Sequence, residues 1–124
     1  MRVPNAILNY TAETALAKFR IVCFGATDGS VKQAAAATDL IIGVTEGFTY
    51  AVGDRVDIVR SGPAEIEYGG AVTRGQPLTS DAVGRAIAAA PAAGNNVRII
   101  GYAEVSGVLG DIGSVYVGAE MIQG

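Results

Sequence analysis

The sequence contains no histidine and only one cysteine, Cys23. The lack of histidine excludes Ser-His-acid and Cys-His catalytic arrangements and removes the usual general base near neutral pH. Zinc sites need clustered cysteine or histidine, and a lone cysteine cannot close an internal disulfide. Because Cys23 lies within a hydrophobic run, we interpret it as a packed thiol. We therefore expect no catalytic residues, no metal ligands and no cofactor.

Basic residues are few and scattered, nine against twelve acidic ones, for a net charge of −3. Phosphate backbones are held by clustered lysine and arginine, so we expect no direct contact with nucleic acid. No run of about 18 apolar residues is present, and the first residues lack the apolar core of a signal peptide, so we expect no membrane partner. These features predict a protein made in a cytoplasm. Low charge together with abundant alanine and glycine also favours self-assembly.

Small residues dominate the composition, with 17 glycines and only 6% aromatic residues. Small and β-branched residues with frequent glycine favour short strands joined by tight turns. Strand patterns recur at 19–25, 40–45, 55–60, 64–70, 96–107 and 114–120. Their regular spacing predicts a single domain over residues 1–124 that is mainly β, a compact barrel or sandwich.

Three local features accompany the strand patterns. Ser30 is followed by an alanine-rich run, which predicts one short helix at 30–39 with Ser30 as its N-cap. Residues 1–18 show weak periodicity and predict an extended N-terminal arm. The Ser-Gly-Pro sequence at 61–63 predicts a short connection, consistent with a hairpin between the strands on either side.

The stretch EYGGAVTRGQPLTSDAVGRA, residues 67–86, contains the G-x-x-x-x-G spacing of a phosphate-binding loop. Gln76 and Pro77 stand where that loop needs lysine and a hydroxyl residue, and no helix pattern follows. We therefore predict that its glycines form turns and that SDAVG closes a hairpin. Leu78 and Ile87 are the inward-facing residues expected on the two paired strands.

Ordered motifs cover the second half of the chain and its start. They are N-A-I-L-N-Y-T-A at 5–12, G-D-x-V-x-V/I-V-x-S-G at 53–62, A-E-I/V-x-Y-G-G at 64–70, T-R-G-x-x-L-T-S-D-x-x-G-x-A at 73–86, V-R-I-I-G-x-A at 97–103 and S-G-V-x-G-D-I-G at 106–113. Each motif consists of turns and strands, and their order and spacing together are specific. In that order they resemble the capsid cement, or head decoration, proteins of tailed bacteriophages and prophages.

The resemblance implies a small β-tulip-like barrel that assembles, usually as trimers, on the outside of a mature capsid. There it bridges neighbouring major capsid protein subunits. The resemblance also implies a virion protein made in the cytoplasm of a bacterial host, and it carries over no catalytic residues. An N-terminal arm that orders on the lattice is then the expected capsid contact, through Asn5, Ile7, Leu8 and Tyr10.

Two other functions remain open from the sequence. The G-x-x-V-x-x-G-x-x-L pattern at 69–78 also occurs in β-clip or biotinyl-like carrier domains. Such carriers need a modifiable lysine beside methionine on an exposed hairpin, and neither Lys18 nor Lys32 has a methionine neighbour. A small carbohydrate-binding module is the other alternative, and it would depend on the five dispersed tyrosines.

Overall fold

The structure is a computed structural model that describes residues 5–124. These residues form nine β-strands and no helix. No helix in this range could therefore cross a membrane. The strands are β1 (Ala6–Ala12), β2 (Ile21–Phe24), β3 (Ser30–Gln33), β4 (Ile41–Thr45), β5 (Arg55–Glu67), β6 (Pro77–Ser80), β7 (Ala86–Ala88), β8 (Asn96–Ala103) and β9 (Ile112–Gln123).

Five strands close into a barrel in the order β1-β3-β2-β4-β5, because β1 pairs with both β3 and β5. β1 runs parallel to β3, and the other neighbours in the barrel are antiparallel. The sheet then continues from β5 through β9, β8 and β6 to β7. We call these last four strands, with the second half of β5, the outer sheet. The mainly β barrel that the sequence predicts is confirmed.

The protein has two hydrophobic cores because several barrel strands are buried on both faces. The barrel interior holds alternate side chains, such as Val22 of β2 and Ile58 of β5. Their neighbours in sequence, Cys23 and Val59, face the other way and pack beneath the outer sheet. A strand covered on both faces has an almost continuous apolar sequence. This explains why all five positions of β4, IIGVT, are buried.

The helix predicted at 30–39 is wrong. Its first four residues form β3, which pairs with both β1 and β2. In the turn that follows, the Asp39 carboxylate accepts hydrogen bonds from the backbone N–H groups of Ala35 and Ala36. A run of alanine favours a helix only weakly, and a helix this short gains little without tertiary contacts. Complete burial of Val31 between two strands favours β3 instead.

The connection predicted at 61–63 is also wrong. The chain continues as the single 13-residue strand β5, with Ser61, Gly62 and Pro63 in its middle. The first half of β5 pairs with β1 and β4 in the barrel, and the half that begins at Ser61 pairs with β9. Gly62 has a φ of 97°, which glycine adopts without steric cost. The Ser-Gly-Pro sequence therefore marks the passage of one strand from the barrel to the outer sheet.

The N-terminal segment is extended, and its described part belongs to the barrel. Residues 1–4 of the predicted arm lie outside the described residues. β1 pairs with β5 along its length and with the start of β3. Tyr10, Ala12 and Leu16 pack in the barrel interior. The arm sequence thus supplies one of the five barrel strands.

The hairpin predicted around Leu78 and Ile87 is confirmed as β6 and β7. Leu78 is fully buried as predicted, whereas the inward direction predicted for Ile87 is wrong: Ile87 pairs with Thr79, on the face opposite to Leu78, and is only half-buried. Asp81 holds the loop between them, because its Oδ1 accepts hydrogen bonds from the backbone N–H groups of Val83 at 2.9 Å and Arg85 at 2.8 Å. Its Oδ2 accepts a third from Arg85 Nε at 2.9 Å. One carboxylate thus sets the shape of the turn.

Charged residues of the stretch 67–86 join this hairpin to the barrel. Glu67, at the end of β5, pairs with Arg20 at 3.3 Å and with Arg85 at 3.9 Å. Arg20 also donates to the carbonyl oxygen of Val83 in the hairpin loop at 2.9 Å. The stretch 67–86 therefore connects the β6–β7 hairpin to the end of β5 and to Arg20, which directly precedes β2.

Candidate functional surface

Cys23 is packed in the core beneath the outer sheet, as the sequence predicts. Burial, followed by the negative charge of Asp39, raises the pKa of its thiol. A raised pKa lowers the fraction of thiolate, which is the nucleophilic form. Within residues 5–124, no group of acidic and cysteine side chains is arranged to hold a metal ion.

The four predicted contact residues lie on β1 and just before it. Ile7 and Leu8 are 45% and 50% exposed. Asn5 is exposed, and its Nδ2 donates to a carbonyl oxygen of β5 at 2.7 Å. Tyr10 is only 8% exposed, and its hydroxyl accepts a hydrogen bond from Arg60 at one end of the barrel. The structure thus brings Asn5, Ile7 and Leu8 to the surface and places Tyr10 beneath them.

One end of the barrel carries exposed apolar side chains. At this end β1 and β4 begin, β2 ends and β5 leaves for the outer sheet. Side chains two positions apart on a strand point in the same direction. A residue two positions beyond the last interior residue of its strand therefore faces the barrel axis at the rim. Leu8, Phe24 and Leu40 have this position, and each is about half exposed. We call these three residues and Arg60 the barrel mouth.

A cavity of about 240 Å³, which we call the mouth pocket, opens between the barrel mouth and the outer sheet. Phe24 and Leu40 line it from the barrel, and Met121 lines it from β9. Two cationic residues, Arg60 and Arg98, line it as well. The Arg60 guanidinium lies 5.8 Å from the centre of the Phe24 ring, which is a stabilising cation–π distance. The pocket therefore combines apolar walls with positive charge.

A larger cavity of about 410 Å³ lies where the barrel meets the outer sheet. Glu46 and Glu65 line it, together with Asn5 and Phe19, and none of its lining residues is basic. Phe19 has a φ of 58°, in the left-handed region, and so turns sharply into β2 beside this cavity. The cavity therefore has acidic character.

A row of ring side chains crosses the outward face of the outer sheet. Pro63, Tyr116, Tyr102 and Pro77 are directly paired on β5, β9, β8 and β6. Both tyrosines are about half exposed. The Tyr102 hydroxyl donates to Glu120 Oε1 at 3.0 Å, and this hydrogen bond raises the pKa of Tyr102. The row is a flat apolar surface with polar tips, as is common in contact surfaces.

The loop between β8 and β9, residues 104–111, exposes a cluster of aliphatic side chains. Val108 and Leu109 are 59% and 61% exposed, and Val105 is nearly half exposed. The loop is held from below, because the hydroxyl of the fully buried Tyr68 donates to the Val105 carbonyl oxygen at 2.7 Å. Asp111 Oδ2 accepts from the backbone N–H of Val108 at 3.0 Å. We call this segment the 104–111 loop.

Sequence reasoning did not find the mouth pocket or the 104–111 loop as surfaces. Arg60, Arg98 and Met121 are far apart in sequence and sit in ordinary strand patterns. The available signal for the loop was its density of aliphatic residues, SGVLGDIG, within a segment that turn residues mark as exposed. No comparable local signal exists for the pocket.

Comparisons with known proteins bear on both family and fold. The family model described as phage cement protein matches residues 3–108. A search of curated protein sequences finds no match. Among solved structures, the head fiber gp8.5 N base in bacteriophage phi29 is similar, with a TM-score of 0.67 and 16% identity. The alignment covers 93% of this chain and 95% of that one, so the likeness shows a shared fold.

Proposed function

Because this chain belongs to the phage cement protein family, we propose that it binds the outer surface of a phage capsid and stabilises the shell by bridging major capsid protein subunits. The family is one of structural capsid proteins, and the chain is accordingly a structural component of a phage capsid. The observation that carries the proposal is the family match over residues 3–108, which spans the whole barrel and reaches into the outer sheet.

Surface composition supports a role in protein–protein contact. The barrel mouth and the 104–111 loop both expose large aliphatic or aromatic side chains. Contiguous apolar patches on a small domain mark interaction sites, and the cores of interfaces are poor in charged residues. Both surfaces are therefore suited to contact with other protein chains.

We assign the lattice contact to the N-terminal residues Asn5, Ile7 and Leu8, with Tyr10 supporting them from inside the barrel. Ile7 and Leu8 are exposed on a strand that pairs with both β3 and β5, so they are presented on a rigid element. The protein acts as a homotrimer on the capsid exterior, after synthesis in the cytoplasm of the bacterial host.

Purified protein is expected to bind saturably to capsids that lack it and to raise the temperature at which those capsids disassemble. The physical reason is linkage, because a ligand that binds only the assembled shell stabilises it by a free energy that grows with the logarithm of the ligand concentration relative to its Kd. Sedimentation of capsids with labelled protein measures the binding, and calorimetry measures the stability. Binding that does not saturate, or unchanged disassembly, would contradict the proposal.

Leu8→Asp is expected to weaken capsid binding by at least about tenfold, because it places a carboxylate without a partner in an apolar contact. The matched control is Val52→Asp, which puts the same charge at a residue 68% exposed in the loop between β4 and β5. Thermal unfolding of both variants checks that the domain stays folded. Equal affinity of Leu8→Asp and the wild type would remove Leu8 from the contact.

A further inference from the structure

We propose that the mouth pocket receives the 104–111 loop of a second copy of this chain. The inference rests on the trimeric part of the proposed function and specifies the surfaces that form the trimer. The pocket offers positive charge within apolar walls, and the loop offers negative charge beside exposed aliphatic side chains.

The pocket side of the contact has cations without carboxylate partners. Within residues 5–124 the ion pairs involve only Arg20 and Arg85 as cations, so Arg60 and Arg98 have none. Glu120 also lines the pocket, but its Oε1 accepts the hydrogen bond from Tyr102. Guanidinium groups bind carboxylates through paired hydrogen bonds, and the two arginines leave a net positive charge in the pocket beside the single carboxylate of Glu120. The pocket therefore favours an incoming carboxylate.

The size and walls of the pocket favour a protein segment over a small molecule. Its volume of about 240 Å³ is below the roughly 300–1,000 Å³ typical of small-molecule sites. Phe24, Leu40 and Met121 each leave about half of the residue exposed around it. An occupant that covers them needs apolar groups next to its carboxylate, and an exposed loop with aliphatic and acidic residues meets both needs.

The 104–111 loop has this chemistry. It exposes Val105, Val108 and Leu109, and Glu104 stands at its start. Asp111 is engaged with the loop backbone, whereas the Glu104 carboxylate has no hydrogen bond or ion pair within residues 5–124. Because buried Tyr68 and Asp111 already hold the loop in shape, little conformational entropy is lost when it docks.

The positions of loop and pocket make the contact intermolecular. Arg98 lies near the start of β8, and Glu104 follows its last residue. Six residue-to-residue steps along the strand separate Arg98 from Glu104 by about 20 Å, so the loop does not reach the pocket of its own chain. A contact between two different surfaces is head-to-tail, and it closes into a ring when the rotation between copies allows. A trimer is the smallest common ring of this kind.

Charge reversal at each side, separately and together, tests the contact. Light scattering coupled to size-exclusion chromatography is expected to give a trimer for the wild type. Arg98→Glu and Glu104→Arg are each expected to weaken association at least about tenfold, and the double variant is expected to restore it because the charges are exchanged. Arg98→Gln removes the positive charge without adding a negative one, so it is expected to weaken association through the lost attraction alone. Weakened association of this variant cannot be ascribed to misfolding caused by a reversed charge.

The matched controls are Lys18→Glu and Asp28→Arg, which reverse charge at exposed residues that neither line the mouth pocket nor belong to the 104–111 loop. A monomeric wild type, or a double variant no better than the singles, would overturn the inference. If Arg98→Glu stays trimeric and loses capsid binding instead, the occupant is a capsid subunit and the second copy is rejected. A wild type that binds capsids as a monomer would overturn the inference and the homotrimer on which it rests, but not the proposed capsid binding. A stable trimer that binds no capsid would overturn the proposed capsid binding and leave the inference standing.

Discussion

Tyr68→Ala is expected to lower the free energy of unfolding by about 3–5 kcal/mol, in the range for removing a large buried aromatic side chain. Tyr68 is completely buried and packs in the core between the barrel and the outer sheet. Its ring fills the space left by Gly107 and Gly113, where a Cβ would overlap it. Removal leaves a cavity that rigid strands on both sides cannot close. Urea unfolding followed by far-UV circular dichroism measures the loss.

Two further variants separate the ring of Tyr68 from its hydroxyl. Tyr68→Phe keeps the ring and leaves the Val105 carbonyl oxygen without its buried donor, for an expected loss of about 1–2 kcal/mol. Tyr116→Ala removes a half-exposed tyrosine from the outer sheet and is expected to change stability by about 0.5 kcal/mol or less. A Tyr68→Ala loss as small as that of Tyr116→Ala would show that Tyr68 does not hold the two layers together.

Asp81→Ala is expected to lower the free energy of unfolding by about 2–3 kcal/mol, because it leaves several hydrogen-bond donors without an acceptor. The lost acceptor serves the backbone N–H groups of Val83 and Arg85 and the Arg85 Nε. Arg85 would also lose one of its two carboxylate partners, with only the longer pair to Glu67 remaining. Chemical denaturation at neutral pH measures the effect.

Asp81→Asn is the conservative companion to this variant. An amide oxygen can still accept from the two backbone N–H groups, but its NH₂ group faces the donor of Arg85. The expected order of stability is therefore wild type, Asp81→Asn, Asp81→Ala. The control Asp28→Ala removes an exposed aspartate from another turn and is expected to be nearly neutral. An Asp81→Ala variant as stable as Asp28→Ala would contradict the role given to this carboxylate.

The strand content of the fold was predictable because it depends on local patterns. The β2, β4 and β8 regions and the β6–β7 hairpin all follow from apolar runs or alternation bounded by turn residues. Gly110, in the turn before β9, has a φ of 89°, a conformation that glycine adopts readily. These features need only a few neighbouring residues, so a single sequence contains the information.

The two local errors share one cause. Alanine after Ser30 and the Ser-Gly-Pro sequence at 61–63 are ordinary signals for a helix and a turn. In the barrel, Val31 is buried between β1 and β2, and β5 has to reach from the barrel to β9. Contacts between distant strands outweigh weak local preference, and no window of a few residues contains those contacts.

The candidate surface was predictable only in part. Ile7 and Leu8 are exposed, whereas Tyr10, on the same strand, points into the barrel. Leu8 and Tyr10 lie on the same face of β1, so their different burial comes from their depth in the barrel, which depends on strand partners distant in sequence. Arg60 and Arg98 approach one pocket only because β5 leaves the barrel and β8 and β9 extend past its mouth.

The sequence by itself determined the β character of this protein, the absence of histidine chemistry and the family to which the chain belongs. Those properties are carried by residue types and their spacing along the chain. Only the tertiary structure decided that β1 closes the barrel and that several strands are buried on both faces. It also brought together, in one pocket, three apolar side chains and two arginines that have no ion-pair partner within residues 5–124. These features depend on pairing between strands whose residues are tens of positions apart in sequence. The pairing that forms is the one that buries the apolar faces of all the strands together.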